Sequence, residues 1–146
     1  DELAKYAQDW ANYLRDNKQC KMHHRSSLGL TEGKSYGENL AWNWISITQP
    51  QGMFISSPEK ANISWSKECE YYDYNSNSCK KGEQCGHFTQ VIWKNSKLVG
   101  CAMAICDETN KTISQGHSEL WVCNYEPAGN ITLIYPDGRR EAQKPF

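Results

Sequence analysis

Histidines and a carboxylate are the residues of this sequence that could carry chemistry. His87 opens HFTQVIW, a β-prone stretch whose alternate residues would project to opposite faces of a strand. Glu68 falls in an otherwise apolar stripe of a predicted helix, whereas His23 and His24 lie together in a polar loop over residues 20–36. Histidine titrates near neutral pH and binds transition metals, and a carboxylate in an apolar face is a candidate site residue. The alternative is that Glu68 lies at the rim of the stripe, paired with a lysine or a backbone donor, and that the histidines are ordinary surface residues.

Helices are predicted to precede the strands. Residues 1–17 place apolar side chains at the spacing of one helical face, with two acidic residues at the start. A short helix is predicted over residues 39–45. Ser57 and Pro58 supply an N-cap and a first-turn proline for the next helix, which carries Glu68.

The second half of the chain favours strands. The predicted strands are His87–Trp93, Val99–Cys106 and Leu120–Tyr125. Because helices come first and no regular βαβ alternation follows, the sequence indicates an α+β or layered architecture. Cys101 and Cys106 are an odd number of residues apart and would therefore face opposite sides of their strand, so they need partners on different sides.

Composition excludes several classes of protein. The 146 residues suit one domain, and the net charge of −1 with dispersed basic residues lacks the footprint of a nucleic-acid binder. No apolar run approaches the roughly 18 residues of a membrane span. Seven cysteines without a C-x-x-C pair indicate an oxidising compartment rather than a zinc ribbon. The three N-x-S/T triplets, at Asn62, Asn110 and Asn130, are compatible with secretion and glycosylation.

Three motifs give the sequence a family resemblance. GENLAW at Gly37–Trp42, Cys85–Ala102 and WVCNYEPAGN at Trp121–Asn130 resemble the CAP superfamily of cysteine-rich secretory, antigen 5 and pathogenesis-related group one proteins. The chain is most similar to single CAP domains of the venom-allergen-like and glioma-pathogenesis-related-like kinds. The resemblance implies a disulfide-stapled three-layer α-β-α sandwich forming one domain over residues 1–146, with a short extension from about residue 131. The family's first helix is expected to be missing ahead of residue 1.

The resemblance also implies a cavity built from two histidines and two glutamates. His24 and His87 would bind an optional divalent metal, zinc above all, with Glu38 and Glu68 orienting the rings. His23 competes with His24, and the family spacing favours His24.

His117 lies outside this group of residues. It follows Gly116 in a predicted turn and is expected to be a solvated loop histidine.

Aromatic residues indicate a second kind of site. Six tryptophans and eight tyrosines exceed what one core needs, so some should line grooves or lie exposed. The resemblance implies that sterols or fatty acids bind in such grooves, although the loop after the Glu68 helix is polar here. The candidate lipid-contacting residues are Trp42, Trp44, Phe54, Tyr72 and Tyr74. The alternative is that these aromatics only pack the core and interfaces.

Disulfide pairing follows from the resemblance as well. It implies bonds between Cys20 and Cys106, between Cys79 and Cys85, and between Cys101 and Cys123. Cys69 is then left as a free thiol, which we expect to be buried or partly buried.

The resulting prediction is a secreted, non-enzymatic CAP domain that binds sterols or fatty acids and can hold a metal. One alternative is a hydrolase acting through His24, Glu38, Glu68 and His87, since histidine and glutamate can serve as general base and acid and a bound metal can activate water. No G-x-S-x-G or H-E-x-x-H motif supports it. A second alternative is an extracellular antigen whose surface binds a host or receptor protein. The expected state is a monomer or weak dimer.

Overall fold

The computed structural model describes residues 2–46, 57–106 and 116–146. Helices α1, α2 and α3 span Glu2–Lys18, Pro58–Ser66 and Gly86–Val91, and short 3-10 turns span Ser26–Leu28 and Lys67–Tyr71. The strands are β1 (Gly37–Ser46), β2 (Tyr72–Asp73), β3 (Ser78–Cys79), β4 (Leu98–Cys106), β5 (Gly116–Glu126), β6 (Thr132–Ile134) and β7 (Arg140–Ala142).

One antiparallel sheet organises the described part of the chain. Its strand order is β1-β5-β4, with β5 in the centre, and two small hairpins pair β2 with β3 and β6 with β7. The register of β1 on β5 runs from Gly37 opposite Tyr125 to Ser46 opposite Gly116. The central strand therefore has its backbone hydrogen bonds satisfied on both sides, as a buried strand requires.

Successive side chains of β5 point to opposite faces of the sheet and contribute to two hydrophobic cores. Leu120 and Val122 pack against the apolar face of α1, which includes Trp10. Trp121 and Tyr125, which point the other way, pack with Trp65 of α2. Helices therefore cover both faces of the sheet, and the expected α+β, three-layer α-β-α sandwich is confirmed.

The approach of α1 to the sheet is set by a glycine. A methyl group on Gly100 of β4 would overlap the backbone of Leu3 and Ala4. Because Gly100 has no side chain, the first turn of α1 can lie directly on the backbone of β4. The distance between this helix and the sheet is therefore set by backbone contact.

The prediction of a strand over His87–Trp93 is wrong, because Gly86–Val91 forms α3. The helix start is stabilised from outside: Glu68 Oε2 accepts hydrogen bonds from the backbone N–H groups of His87 and Phe88 at 3.0 and 3.1 Å. These are among the N–H groups that a helix start leaves without an internal partner. A tertiary cap thus overrides the local β pattern.

The predicted helix over residues 39–45 is also wrong, because this segment belongs to β1. Pairing along the whole length of β5 supplies hydrogen bonds that a short isolated helix could not match. The Trp65 indole adds a buried bond to the carbonyl oxygen of Leu40 at 3.1 Å. By contrast, the predicted helix over residues 1–17 and the start of α2 at Pro58 agree with the structure.

The structure contains the three disulfides that the resemblance implies, Cys20–Cys106, Cys79–Cys85 and Cys101–Cys123. The last joins directly opposite residues of β4 and β5. Cys69 is free, but the expectation that it is buried is wrong because the 3-10 turn over Lys67–Tyr71 leaves it exposed. Within the described ranges, no helix combines the length and apolar character needed to cross a bilayer.

Candidate functional site

The candidate site lies where the beginning of β1 meets both helical layers. β1 is an edge strand among the described elements, and its successive side chains point to opposite faces of the sheet. Glu38 contacts the loop that follows α1, whereas Asn39 donates a 3.1 Å hydrogen bond to the carbonyl oxygen of His87 in α3. A cavity at this edge can therefore be lined from both sides.

The first half of the site is a histidine held by a buried carboxylate. His24 Nδ1 lies 2.9 Å from Glu38 Oε1, and the Glu38 side chain is 9% exposed. The same oxygen accepts the backbone N–H of Arg25 at 3.1 Å, while Asn124 Nδ2 donates to Oε2 at 3.4 Å. Glu38 is thus held by a neighbouring strand, β5, and by the loop after α1 while it orients the imidazole.

The second half repeats this arrangement on the other helical layer. His87 Nδ1 lies 2.7 Å from Glu68 Oε1, and the other carboxylate oxygen caps the start of α3. The ring of His87 also stacks on Trp65, with centroids 6.0 Å apart. Glu68 therefore fixes both the backbone and the ring of His87. Its oxygens accept from backbone donors, as one of the two sequence interpretations expects, and also from the ring of His87.

The two halves face one cavity of about 300 Å³. Its lining residues are His24, Glu38, Asn39, Gln84, Cys85, Gly86, His87 and Asn130. With each Nδ1 donating to a carboxylate, the neutral ring keeps its lone pair on Nε2, the nitrogen that would bind a metal. Over the described ranges, no cluster of three or more histidine, cysteine, aspartate or glutamate residues is placed to hold a metal ion. The lining offers two imidazoles, so a metal ion held here would need water or another group for its remaining ligands.

The electrostatics of the site favour a proton on one of the histidines. The hydrogen bond to Glu38 and its negative charge raise the pKa of His24, while partial burial opposes this shift. A metal ion at Nε2 must compete with that proton, so the carboxylate that orients His24 also makes its protonated form more favourable.

Two other histidines lie apart from this cavity. His23 is half-buried, and its carbonyl oxygen accepts the indole N–H of Trp10 at 3.0 Å, so His24 rather than His23 reaches the cavity. The expectation of a solvated loop for His117 is wrong. His117 lies in β5 and is 6% exposed, with Nε2 3.1 Å from Oε1 of the fully buried Glu119.

The candidate lipid-contacting residues that the structure describes have different surroundings. Trp42 and Trp44 lie on the same face of β1 and are 45% and 48% exposed. Tyr74 instead stacks on Phe146, and Tyr72 lines a separate groove of about 310 Å³. Phe54 lies outside the described residues.

The N-x-S/T triplets have different surroundings. Asn62 is exposed on α2, and Asn130 is exposed in the turn between β5 and β6. Asn110 lies outside the described residues.

Asn39, Asn124 and Asn130 contact the site but were not predicted as part of it. Asn124 and Asn130 do occur in WVCNYEPAGN, so the motif was recognised without the roles of its amides.

Comparison with known proteins identifies the family. The model described as the cysteine-rich secretory protein family, CAP, matches residues 1–125. The chain belongs to the CAP family. It is 37% identical over 131 residues to pathogenesis-related protein 1C of Nicotiana tabacum, covering 90% of this chain and 63% of that protein. It is 37% identical over 141 residues to GLIPR1-like protein 1 of Homo sapiens, covering 96% and 52%.

Solved structures agree with this assignment. The structure of BmVAL-1 superposes with a TM-score of 0.62 and 28% identity, covering 89% of this CAP chain and 58% of that chain. Na-ASP-1 superposes with a TM-score of 0.59 at 18% identity, covering 89% and 29%, which shows the fold alone. The chain spans 52% to 63% of the length of the tobacco and human relatives.

Proposed function

We propose that this CAP domain is an extracellular, non-enzymatic binding protein whose His24–His87 cavity takes a divalent metal ion, zinc above all. The observation that carries the proposal is the paired geometry, in which each imidazole is oriented by its own carboxylate, Glu38 or Glu68, towards one cavity. Three disulfides and the family support secretion. The protein supplies two ligands, so affinity should be weaker than in closed four-ligand sites.

Zinc titration calorimetry tests the metal site. We expect heat for the unmodified protein, its loss in a His24→Ala, His87→Ala double variant, and no change in His23→Ala, the control from the same loop. Because Glu38 raises the pKa of His24, affinity should begin to fall at a pH above the ordinary histidine value of about 6.5. Equal heats for the double variant and the unmodified protein would refute the site.

A second candidate function is the binding of a sterol or fatty acid at Trp42 and Trp44. Two large aromatic side chains, each nearly half exposed on one face of an edge strand, offer apolar area that the described fold leaves uncovered. Burial of such area contributes about 25 cal/mol per Å². Saturable uptake of a labelled sterol or fatty acid should weaken in Trp42→Ala, Trp44→Ala.

The matched control for lipid uptake is Ile63→Ala, which truncates an apolar residue that is 57% exposed on α2. If uptake is unchanged in Trp42→Ala, Trp44→Ala, or falls equally in Ile63→Ala, this surface is not the lipid site. A host or receptor protein remains the third class of partner that the surface could serve.

Hydrolysis is the enzymatic alternative, and the described cavity has few side chains that could act as a nucleophile. The residues that line it include no serine, threonine or free thiol, since Cys85 is bonded to Cys79. Cleavage would have to use water activated by His24 or His87 or by a bound metal. Metal-dependent peptide cleavage that is abolished in Glu68→Gln would establish the hydrolase and overturn the non-enzymatic proposal.

A further inference from the structure

Asn130 occupies the rim that two cavities share. It lines the cavity of about 300 Å³ with His24 and His87, and it also lines the groove of about 310 Å³ that contains Tyr72 and Trp93. The residue is exposed, and its φ of 55° places it in a tight turn after β5. Anything attached to this side chain would therefore stand at the mouth of the histidine cavity.

The side chain of Asn130 is held in a defined place. Its Nδ2 donates a 2.8 Å hydrogen bond to the carbonyl oxygen of Gly86, and the Thr89 hydroxyl lies 2.7 Å from its Oδ1. Both partners belong to α3, the helix that carries His87. A primary amide has two N–H groups, so one can keep the bond to Gly86 while the other is substituted.

Asn130 is also the first residue of an Asn130-Ile131-Thr132 triplet. N-linked glycans are bulky and attach to asparagines of such triplets in surface loops of secreted proteins. Asn62, the other described acceptor, lies instead on α2 and lines neither of these two cavities.

We propose that Asn130 carries an N-linked glycan that screens the His24–His87 cavity from macromolecules and leaves it open to ions and small molecules. This inference rests on the proposed function, because it defines the size of ligand that the cavity can take. In the modification, Nδ2 bonds to the anomeric carbon of a lipid-pyrophosphate-linked oligosaccharide. The anomeric C–O bond breaks, the lipid pyrophosphate leaves, and the amide proton passes to solvent.

The test uses protein secreted from cultured eukaryotic cells. Glycopeptide mapping should find sugar on Asn130. Thr132→Val removes the triplet but keeps the Asn130 amide, and Ser64→Ala removes the Asn62 triplet as a matched control. An imidazole-reactive acylating reagent is then applied, either free or tethered to a soluble dextran, and the acylation rates of His24 and His87 are read from peptide masses.

We expect the tethered reagent to acylate His24 and His87 several-fold faster in Thr132→Val than in the unmodified protein or in Ser64→Ala. The free reagent should act equally on all three proteins, and His23 should react equally throughout. An Asn130 peptide without sugar, or equal rates with the tethered reagent, would overturn the inference. Zinc heats should match in all three proteins, and their absence from all three would refute the metal site without affecting the glycan screen.

Discussion

At the scale of single residues, Glu68 contributes most to the order of the site. One carboxylate accepts from His87 Nδ1 and from the backbone N–H groups of His87 and Phe88. Hydrogen bonds to a charged acceptor contribute about 1.5–3 kcal/mol each at best, and a buried donor left unpaired costs a similar amount. The same residue therefore stabilises α3 and points the imidazole at the cavity.

Glu68→Gln should lower the free energy of unfolding by about 1–3 kcal/mol, because an amide N–H₂ would face donors that now have a carboxylate oxygen. Glu70→Gln, two positions along the same 3-10 turn and exposed, removes an equal charge and should change stability by less than about 0.5 kcal/mol. Urea unfolding followed by circular dichroism measures both variants. Equal losses would show that the effect comes from net charge rather than from the cap.

Tyr125 is a single residue whose ionisation should make the stability of the fold depend on pH. Burial raises the pKa of Tyr125 to about 12, against the smaller effect of its hydrogen bond with Asn39, which donates to the phenol oxygen at 3.4 Å. The unfolded value is about 10, so the neutral phenol favours the folded state. The contribution is complete below pH of about 10 and is lost as the pH rises towards 12.

When the pH is raised from about 9 to about 12, the free energy of unfolding should therefore fall by about 1–3 kcal/mol less in Tyr125→Phe than in the unmodified protein. Urea unfolding at a series of alkaline pH values measures the difference. The other tyrosines with a raised pKa are Tyr6, Tyr36, Tyr72 and Tyr135, and their contributions cancel in the comparison. Parallel alkaline profiles would show that Tyr125 titrates as it does in the unfolded chain.

At the scale of elements, contacts made from a distance decide which structure each segment adopts. The α1 helix needed no such contact, since its apolar periodicity predicts both the element and its buried face, including Trp10 and Leu14. Residues 39–45 and His87–Trp93 were predicted wrongly because their patterns are short. β1 depends on pairing with β5, and α3 depends on the Glu68 cap, neither of which a local pattern contains.

The junction of α1 with β4 is the element contact that a single methyl group can break. Gly100→Ala should destabilise by about 1–3 kcal/mol or more, because the new Cβ meets the backbone of Leu3 and Ala4, which cannot rotate away as a side chain could. Gly86→Ala is the control, since outside its own helix the new Cβ would approach Nδ2 of Asn130 only to 4.0 Å. Thermal unfolding measures both variants, and equal midpoints would contradict the close approach of α1.

At the scale of the whole molecule, β1 carries residues of both candidate sites, the histidine cavity and the exposed tryptophan pair, at different positions along its length. Trp42 lies four residues beyond Glu38, or about 13 Å at the rise of a strand, so substitutions at the two sites should act independently. His24, Glu38, Glu68 and His87 are grouped by their motifs, and the structure pairs each imidazole with one carboxylate. That grouping could be predicted from the sequence, but the amides of Asn39 and Asn130 could not, because only the packing of α3 on β1 and the turn after β5 bring them there.

The disulfides provide the last prediction at this scale, because they close loops of very different length. Cys20–Cys106 spans 86 residues, whereas Cys79–Cys85 spans 6. Loop-closure entropy in the unfolded chain then gives about 4.5 kcal/mol for the first bond and about 2 kcal/mol for the second. Replacing Cys20 and Cys106 with alanine should therefore cost about 2 kcal/mol more than replacing Cys79 and Cys85. Urea unfolding with Cys69 alkylated measures the difference, and a larger loss for the short loop would show that local contacts of the β2–β3 hairpin, rather than chain entropy, set the contribution of each bond.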